Sequence, residues 1–280
     1  MRNESVVWGF ILVLLGGLLL AQNMGWLPAN VNVWALIWPL VLVGMGLRML
    51  KRSTRRGSSI EAEALRLPLD GAQSARISMH HGAGELRVDD QAGPDVLLSG
   101  SFGGGIEQRV SRSGSEALVD LRVPSGNIPG MLPFAGDTLN WTVGLNPNVP
   151  LTIIMEVGAS RNLLNLRNLQ VRELHLQTGA SSTEIDLPAH AGQTRATIRC
   201  GAASVELRVP PSVAARIHAG GGLASIHVDP LRFPRDASVA GSGSGGATVG
   251  GGDFRSPDYD TAENRIDLDI ETGIGSVSIR

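Results

Sequence analysis

The sequence LTIIMEVGASRNLLNLRNL, residues 151–169, is followed by a second version of the same pattern, LHLQTGASSTEIDLP, residues 174–188. In both segments apolar residues alternate with polar ones, a Gly-Ala-Ser corner interrupts the alternation, and the alternation then resumes. Related copies begin at Ala75, Ala196, Ala215 and Ile266. A period of two indicates β-strands, and a repeat of about 20 residues indicates coils that stack on one another. The sequence therefore predicts an all-β, β-solenoid-like domain.

Superposing the copies predicts which side chains form the core of the stack. The three predicted inward rows are Met155, Leu176, Ile198 and Ile217; Leu164, Ile185, Leu207 and Ile226; and Leu166, Leu187, Val209 and Val228. The predicted structural corners are Gly158, Gly179, Gly201, Gly220 and Gly273. A corner glycine either adopts backbone angles closed to other residues or permits close approach of the next coil. Since one coil cannot bury its apolar face alone, we expect one core that runs along the stack.

The polar positions between the inward residues predict an outward surface for partner contact. Its predicted members are Glu184, Asp186, Glu206, Arg208 and His227. We expect Asp186, Arg208 and His227 to stack on neighbouring coils. Glu184 and Glu206 would repel each other on adjacent strands, so Arg208 is the expected compensating cation.

Two segments interrupt the repeat within the β-domain, which is predicted to occupy residues 64–280. Residues 101–150 indicate an irregular insert, and residues 240–252 indicate a flexible Gly-rich loop. The outermost strands are expected near Ala75 and near Arg280, where unpaired edges would add further strands unless they are capped.

A membrane anchor is predicted before the repeat. Residues 5–47 contain no Asp, Glu, Lys, Arg or His, and such a stretch is too long and too apolar for one core helix. A polar turn divides it into two predicted spans, at about 6–22 and 33–50. Residues 1–52 are therefore predicted to form a two-helix transmembrane hairpin, and residues 53–63 a polar linker.

Basic residues predict the orientation of this hairpin. Arg48, Lys51, Arg52, Arg55 and Arg56 follow the second span, whereas the turn between the spans has no basic residue. Because basic loops stay on the cytoplasmic side, both termini and the β-domain are predicted to be cytoplasmic.

Charge and cysteine content narrow the function classes. Residues 1–56 contain 6 basic and 1 acidic residue, and the remaining 224 residues contain 18 basic and 25 acidic ones. The basic segment suits contact with anionic membrane lipid, whereas the acidic β-domain disfavours nucleic acid as a partner. The chain has one cysteine, Cys200, so it has no intrachain disulfide and no cysteine-based zinc site. Cys200 is expected to be a small buried residue and not a nucleophile.

Two stretches carry a family resemblance. GFILVLLGGLLLAQNMGWLP, from Gly9, and VWALIWPLVLVGMGLRMLKR, from Val33, resemble the two-helix membrane region of LiaI- and LiaF-like bacterial proteins. Residues 139–188, with their paired Gly-Ala-Ser motifs, resemble the toast-rack, adhesin-like β-domain that follows such anchors. The resemblance implies a bacterial envelope protein, and some LiaF-like members restrain a sensor kinase that responds to cell-wall stress.

Side chains suited to catalysis or metal binding form no strong motif. His80, His81 and Glu85 are one candidate cluster, but a polar strand end explains them more simply. The acidic loop Asp258–Glu263 offers oxygen ligands for calcium without the spacing of an EF-hand, so a solvated loop is an equal alternative. No catalytic, cofactor-binding or metal-binding residue is predicted.

Three functional hypotheses follow from the sequence. The first is a membrane-anchored, non-catalytic envelope protein: a LiaF-like regulator or scaffold in the envelope stress response that contacts a membrane sensor kinase or another membrane protein. The second is a self-assembling or adhesin-like structural β-domain. The third is an enzyme on the same fold, using His80, His81 and Asp260.

Overall fold

The structure is a computed structural model that describes residues 62–124, 139–236 and 251–280. The chain separates into two compact units, residues 1–58 and 59–280, and all the described residues belong to the second unit. In the described ranges every regular element is a strand, which confirms the all-β prediction.

The predicted membrane hairpin lies outside the described residues, and so does most of the predicted Gly-rich loop at 240–252. The described part of the chain has no helix with the length and hydropathy needed to cross a bilayer. The predicted linker at 53–63 reaches the described part only at its last two residues, and the first strand begins at Glu63.

Twelve strands are present in the described ranges. In chain order they are β1 (Glu63–Pro68), β2 (Ser74–Asp89), β3 (Val96–Phe102), β4 (Glu107–Ser113), β5 (Glu116–Arg122), β6 (Trp141–Leu145), β7 (Leu151–Asn165), β8 (Val171–Asp186), β9 (Gln193–Arg208), β10 (Ala214–Val228), β11 (Gly252–Arg255) and β12 (Arg265–Ile279). Six of them, each 15 or 16 residues long, form a parallel stack in the order β2, β7, β8, β9, β12, β10.

Each long strand bends back on itself at its Gly-rich corner. A straight strand of 15 residues would extend about 50 Å. Residues 166–170 alone connect β7 to β8, and five extended residues reach only about 20 Å. The chain can therefore enter the next coil only if the strand returns toward its start. We call the part of each strand before the corner the first leg and the part after it the second leg.

The burial pattern marks the bend. In β8, after the irregularity in register near Val171, the buried residues are Leu174, Leu176 and Thr178 on the first leg, but Thr183 and Ile185 on the second leg. The buried positions therefore change from even to odd numbers at the corner. This change keeps the apolar side of both legs facing the core when the strand bends back. Aliphatic side chains from both legs of all six strands fill the space inside the bend as one core.

The register confirms the first three members of the first two predicted inward rows and corrects the fourth. The first three members of the third row, Leu166, Leu187 and Val209, follow the ends of their strands and are buried. Met155 pairs with Leu176, which pairs with Ile198. Ile198 then pairs with Ile270 of β12, because β12 lies between β9 and β10. Ile217 pairs with Leu268 and is thus displaced by two residues from its predicted row. Such a shift preserves the alternation, so the displaced residues are still buried.

The order of strands explains this displacement. Consecutive strands usually become neighbours, which is why the sequence predicts β10 beside β9. Residues 229–264 separate β10 from β12, and this long connection lets the last strand return and pair with both. The copies alternate in the same way, so either neighbour suits the apolar face of β12.

The two ends of the stack are built differently. At the first end, β5 and then β4 extend the first leg of β2, while β6, β3 and β1 extend the second leg. The predicted irregular insert at 101–150 therefore supplies three strands. Its Trp141 is buried, and the ring meets Phe102 edge-on with centroids 5.1 Å apart. At the other end, β11 covers only Arg216–Ala219, on the first leg of β10.

The predicted positions of the outermost strands are wrong. Ala75 is paired on both sides, with Ala117 of β5 and Leu151 of β7. Arg280 follows β12, which is an interior strand. The reason is that the insert covers the first repeat and the last repeat enters the stack.

Candidate functional site

The predicted outward residues lie on the outer face of the second leg. The strand register places Arg87, Leu163, Glu184 and Glu206 in one row across β2, β7, β8 and β9. The next row contains Asp186, which pairs with Arg208. These positions alternate with the buried positions of the same strands, so their side chains point away from the core.

Arg208 holds the acidic residues of this face together. Its guanidinium lies 2.8 Å from a Glu206 oxygen, 3.3 Å from Asp186 and 3.5 Å from Glu184. The predicted compensation of Glu184 and Glu206 by Arg208 is therefore present. We call these four residues the Arg208 cluster.

Further arginines surround the Arg208 cluster. Arg161 lies 3.6 Å from Glu184, and Arg280 bonds to Glu206. On β2, Arg87 pairs with Glu85 at 2.9 Å. A shallow groove of about 230 Å³ runs between Arg87 and Arg208. The face thus presents alternating charges at fixed strand positions and has no deep enclosed pocket.

His227 is not part of the stacked row predicted for it. It pairs with Ser278 of β12, which in turn pairs with Glu206. Leu207 pairs with Ile279, so the next residue of each segment is also aligned. The neighbour of Arg208 across the stack is therefore Arg280 and not His227. The insertion of β12 thus separates His227 from the Arg208 cluster.

The corner glycines stack backbone on backbone. A Cβ at Gly158 would lie 2.3 Å from the carbonyl oxygen of Gly82, and one at Gly179 would lie 3.1 Å from that of Gly158. At Gly201 the corresponding distance to Gly179 is 3.0 Å, and at Gly273 the distance to Gly201 is 2.6 Å. We call these five residues the glycine column. At Gly158 and Gly273 a side chain would collide with the backbone of the adjacent coil, which cannot move away without breaking its own pairing. At Gly179 and Gly201 it would make an unusually tight contact.

The predicted corner at Gly220 is wrong. A Cβ built there meets nothing within 4 Å, whereas one at Gly222 would lie 2.9 Å from the carbonyl oxygen of Gly273. Gly222 therefore continues the glycine column, with the same displacement of two residues that affects the inward rows. At the other end the column begins with Gly82. The sequence analysis identified the copy of the repeat that contains Gly82 but did not predict this glycine as a corner.

The candidate cluster of His80, His81 and Glu85 does not converge. His80 lies on the outer face of the first leg, where its Nδ1 is 3.1 Å from Glu156. His81 points inward, is 2 % exposed, and donates from Nε2 to the carbonyl of Leu139 at 2.7 Å. Burial lowers the pKa of His81. Glu85 lies beyond the corner on the second leg and pairs with an arginine.

Cys200 and the acidic loop also lack the geometry of a reactive or metal site. Cys200 is buried, and burial raises the pKa of its thiol to about 11. Asp260 bonds to Arg255, and the backbone carbonyl of Asp258 accepts from Thr261. In the described ranges no three His, Cys, Asp or Glu side chains come together as a metal site. Calcium binding at Asp258–Glu263 therefore has no support from the arrangement of these side chains.

A second charged network, on the first leg of β10 and β12, was missed by the sequence analysis. The Tyr259 hydroxyl donates to Asp267 at 2.5 Å, and Arg216 lies 2.7 Å from the same carboxylate. His218 donates from Nδ1 to Asp253 at 2.7 Å, which raises the pKa of His218. Arg216 and Asp267 pair directly across the strands, so the signal is detectable only once β12 is known to neighbour β10.

Two family models match the chain. The LiaF transmembrane domain matches residues 7–62. The N-terminal domain of toast_rack, also described as DUF2154, matches residues 53–208, which is more than half of the chain. The chain belongs to the toast_rack family. The family resemblance deduced from the sequence is thus confirmed, and the chain is a membrane-anchored, LiaF-like protein of the bacterial envelope.

A solved structure shares the toast_rack fold of this chain. It is a crystal structure from Clostridium sporogenes ATCC 15579 described as that of a "putative cell adhesion protein". The TM-score is 0.67 at 18 % identity, and the match covers 78 % of this chain and 98 % of the other. At this identity the likeness shows the fold alone. No curated protein sequence matches the chain.

Proposed function

We propose that this toast_rack protein is a non-catalytic regulator or scaffold of the cell-envelope stress response that acts by protein-protein contact. In this proposal residues 1–52 form a two-span hairpin, residues 53–63 a linker, and residues 64–280 a cytoplasmic β-domain. The contact surface is the outer face of the second leg, and its partner is a membrane protein such as a sensor kinase.

The Arg208 cluster is the observation that supports this proposal most directly. One half-exposed guanidinium is shared by three carboxylates on two rigid strands, at 2.8 to 3.5 Å. Charges fixed in this way favour selection of a partner with complementary charges more than they favour tight binding by themselves. The separation of His80, His81 and Glu85 supports the non-catalytic part of the proposal, because a general base must lie within hydrogen-bond reach of its partners.

Charge reversal on the two legs of one strand tests the contact surface. Arg208→Glu changes the second leg of β9, and Arg199→Glu is the matched control on its first leg, where Arg199 pairs with Glu271 at 3.4 Å. We expect affinity purification of the full-length protein from cross-linked membranes to recover fewer partner proteins with Arg208→Glu than with Arg199→Glu. Equal recovery of the same partners by both variants would refute the second leg as the contact surface. Circular dichroism verifies that both variants are folded.

A labelled cysteine tests the compartment. Ser182→Cys places an exposed thiol on β8, and the native Cys200 gives little background because it is buried. We expect a membrane-impermeant thiol reagent to label Ser182→Cys in inverted vesicles and not in intact cells. Labelling in intact cells would overturn the cytoplasmic placement.

The second candidate function is a self-assembling or adhesin-like β-domain. It is favoured by the fold shared with the Clostridium protein and by two exposed aliphatic residues that pair at one end of the stack, Leu223 and Ile274. Labelling of Ser182→Cys from outside intact cells, together with recovery of only the protein itself from membranes, is the outcome that selects this function over the first.

A further inference from the structure

The second leg of β10 is the outermost strand at its end of the stack. On one side it pairs with β12 from Leu223 to Val228. On the other side, β11 pairs only with residues 216–219 of the first leg. Among the strands that the structure describes, none pairs with the outer side of residues 223–228.

The direction of the backbone groups along this edge follows from one hydrogen bond. The N–H of Asp229 donates to the carbonyl of Ile279 at 3.0 Å, so Asp229 is oriented toward β12. Because orientation alternates along a strand, Ala224, Ile226 and Val228 direct their N–H and C=O groups away from β12. These groups form a template for a further strand.

The edge residues lack the features that protect the other end of the stack. The outer strand β4 carries Glu107, Arg109 and Arg112, and β1 contains Arg66 and a proline. Charges and proline on an edge strand prevent edge-to-edge pairing. By contrast, the segment 223–228 reads LASIHV and has no Asp, Glu, Lys, Arg or Pro.

Exposed aliphatic side chains lie beside the same edge. Leu223 is 65 % exposed and pairs with Ile274, which is 58 % exposed. Leu231, just beyond the end of β10, is 92 % exposed. Of the large exposed hydrophobic residues in the described ranges, only Val110 lies at the other end. Coverage of this edge would therefore also remove apolar surface from water.

We propose that this edge pairs with the same edge of a second copy of the chain. The pairing is antiparallel, about a twofold axis at Ser225. It sets Leu223 opposite His227 of the second copy on the outer face and Ala224 opposite Ile226 on the inner face. The inner apolar row continues across the dimer, and no like charges face each other.

A second copy is the occupant because the edge is complementary to itself. An isologous contact requires one patch to fit its own rotated image, and a neutral segment with the same alternation in both directions meets this requirement. The membrane anchor matched at residues 7–62 confines copies to one plane, which raises their effective concentration. The dimer is independent of the Arg208 cluster and of the regulatory function proposed above, and it would supply a contact for the second candidate function, self-assembly.

Cysteine cross-linking in membranes tests the twofold axis. Ser225 is oriented toward β12, so two copies of it would form a non-hydrogen-bonded pair with Cα atoms about 4.5 Å apart. This separation is within the range that permits a disulfide. Ser182→Cys is the matched control, because Ser182 and Ser225 are both exposed on the second leg and are aligned across the stack, but Ser182 lies on the interior strand β8.

We expect mild oxidation of membranes that contain the full-length Ser225→Cys protein to give a reducible homodimer. Its yield should exceed that of Ser182→Cys by about tenfold, because paired thiols sense an effective concentration in the millimolar range. Adding Leu223→Lys, an exposed change that should not disturb folding, should abolish the cross-link.

Equal dimer yields at both positions would indicate random collisions and overturn the proposal. Absence of a dimer from Ser225→Cys, or an adduct with a different protein, would overturn it as well, because the edge would then be covered by another segment or partner. Arg208→Glu should leave the Ser225→Cys cross-link unchanged, which separates this inference from the proposed function.

Discussion

The glycine column and the Arg208 cluster lie on the same strands but depend on side chains in opposite ways. In the column, a Cβ at Gly158 would approach a backbone oxygen to 2.3 Å, so the absence of a side chain is what permits stacking. In the cluster, the Arg208 side chain is 41 % exposed and reaches its partners through solvent-accessible contacts. The corner therefore limits how closely the coils can stack, whereas side chains on the outer face can vary without blocking that stacking.

The largest expected effect comes from a single methyl group in the glycine column. Gly158→Ala should destabilise the protein by about 3 kcal/mol or more, since backbone opposes the added carbon and cannot relax as a side chain can. Thermal unfolding of the purified protein in detergent, followed by the strand signal in circular dichroism, measures it. Gly220→Ala is the control and should change stability by less than about 0.5 kcal/mol, because a Cβ there meets nothing. Equal losses for the two variants would refute the column.

An intermediate effect is expected inside the bend, just beyond the corner. Buried Asn162 accepts from Ser160 and donates to the Thr183 hydroxyl at 3.0 Å. Asn162→Ala should cost about 1–3 kcal/mol, because buried polar groups lose their partner. The same row is apolar farther along the stack, at Val205 and Val277.

The double variant Asn162→Val/Thr183→Val makes the row uniform and should recover most of that loss. Thermal unfolding of the single and double variants tests this expectation. If the double variant proves less stable than Asn162→Ala, the polar part of the row has a structural role that the apolar part does not share.

The Arg208 cluster should contribute little to stability. Arg208→Ala should cost less than about 1 kcal/mol, because partly exposed ion pairs are screened by solvent. Arg161 and Arg280 would still pair with Glu184 and Glu206, but the cation shared by all three carboxylates would be gone. Added salt should therefore stabilise this variant slightly more than it stabilises the wild type. Arg199→Ala, which removes an ion pair to one carboxylate, is the control and should show a weaker salt response. A loss as large as that of Gly158→Ala would abolish the contrast between corner and face.

The smallest expected effect is a pH dependence from His218. The hydrogen bond to Asp253 raises the pKa of His218. Its stabilisation is therefore complete below the unfolded value of about 6.5 and is lost as pH rises through the higher folded value. The imidazole is 54 % exposed, so the contribution should stay below about 1 kcal/mol. Asp253→Asn should remove this part of the pH dependence, which unfolding curves between neutral and mildly alkaline pH would show.

The inward rows could be predicted from the sequence because the apolar alternation within a coil does not depend on which coil lies beside it. Ile217 is buried whether it packs beside Ile198 or, as found, beside Leu268. Properties that depend on which coil is adjacent could be predicted only where chain order equals stacking order. Arg208 was therefore paired correctly with Glu184, whereas His227 and Gly220 were misplaced.

The first end of the stack escaped prediction for a different reason. Strand β6 has only five residues and follows a segment rich in glycine and proline, so its alternation is too brief to detect. Its stability comes from burial of Trp141 against Phe102, a contact between residues far apart in the chain. Local patterns carry no information on such a contact.

The place of β12 between β9 and β10 also restricts how the protein can be made. In a repeat protein whose stacking order equals its chain order, each coil can pack on the previous coil as it leaves the ribosome. Here β9 and β10 must remain apart, or separate again, until the last residues of β12 have been translated. A chaperone that keeps β10 from pairing with β9, or a pause late in translation, would thus act on the space that β12 later fills.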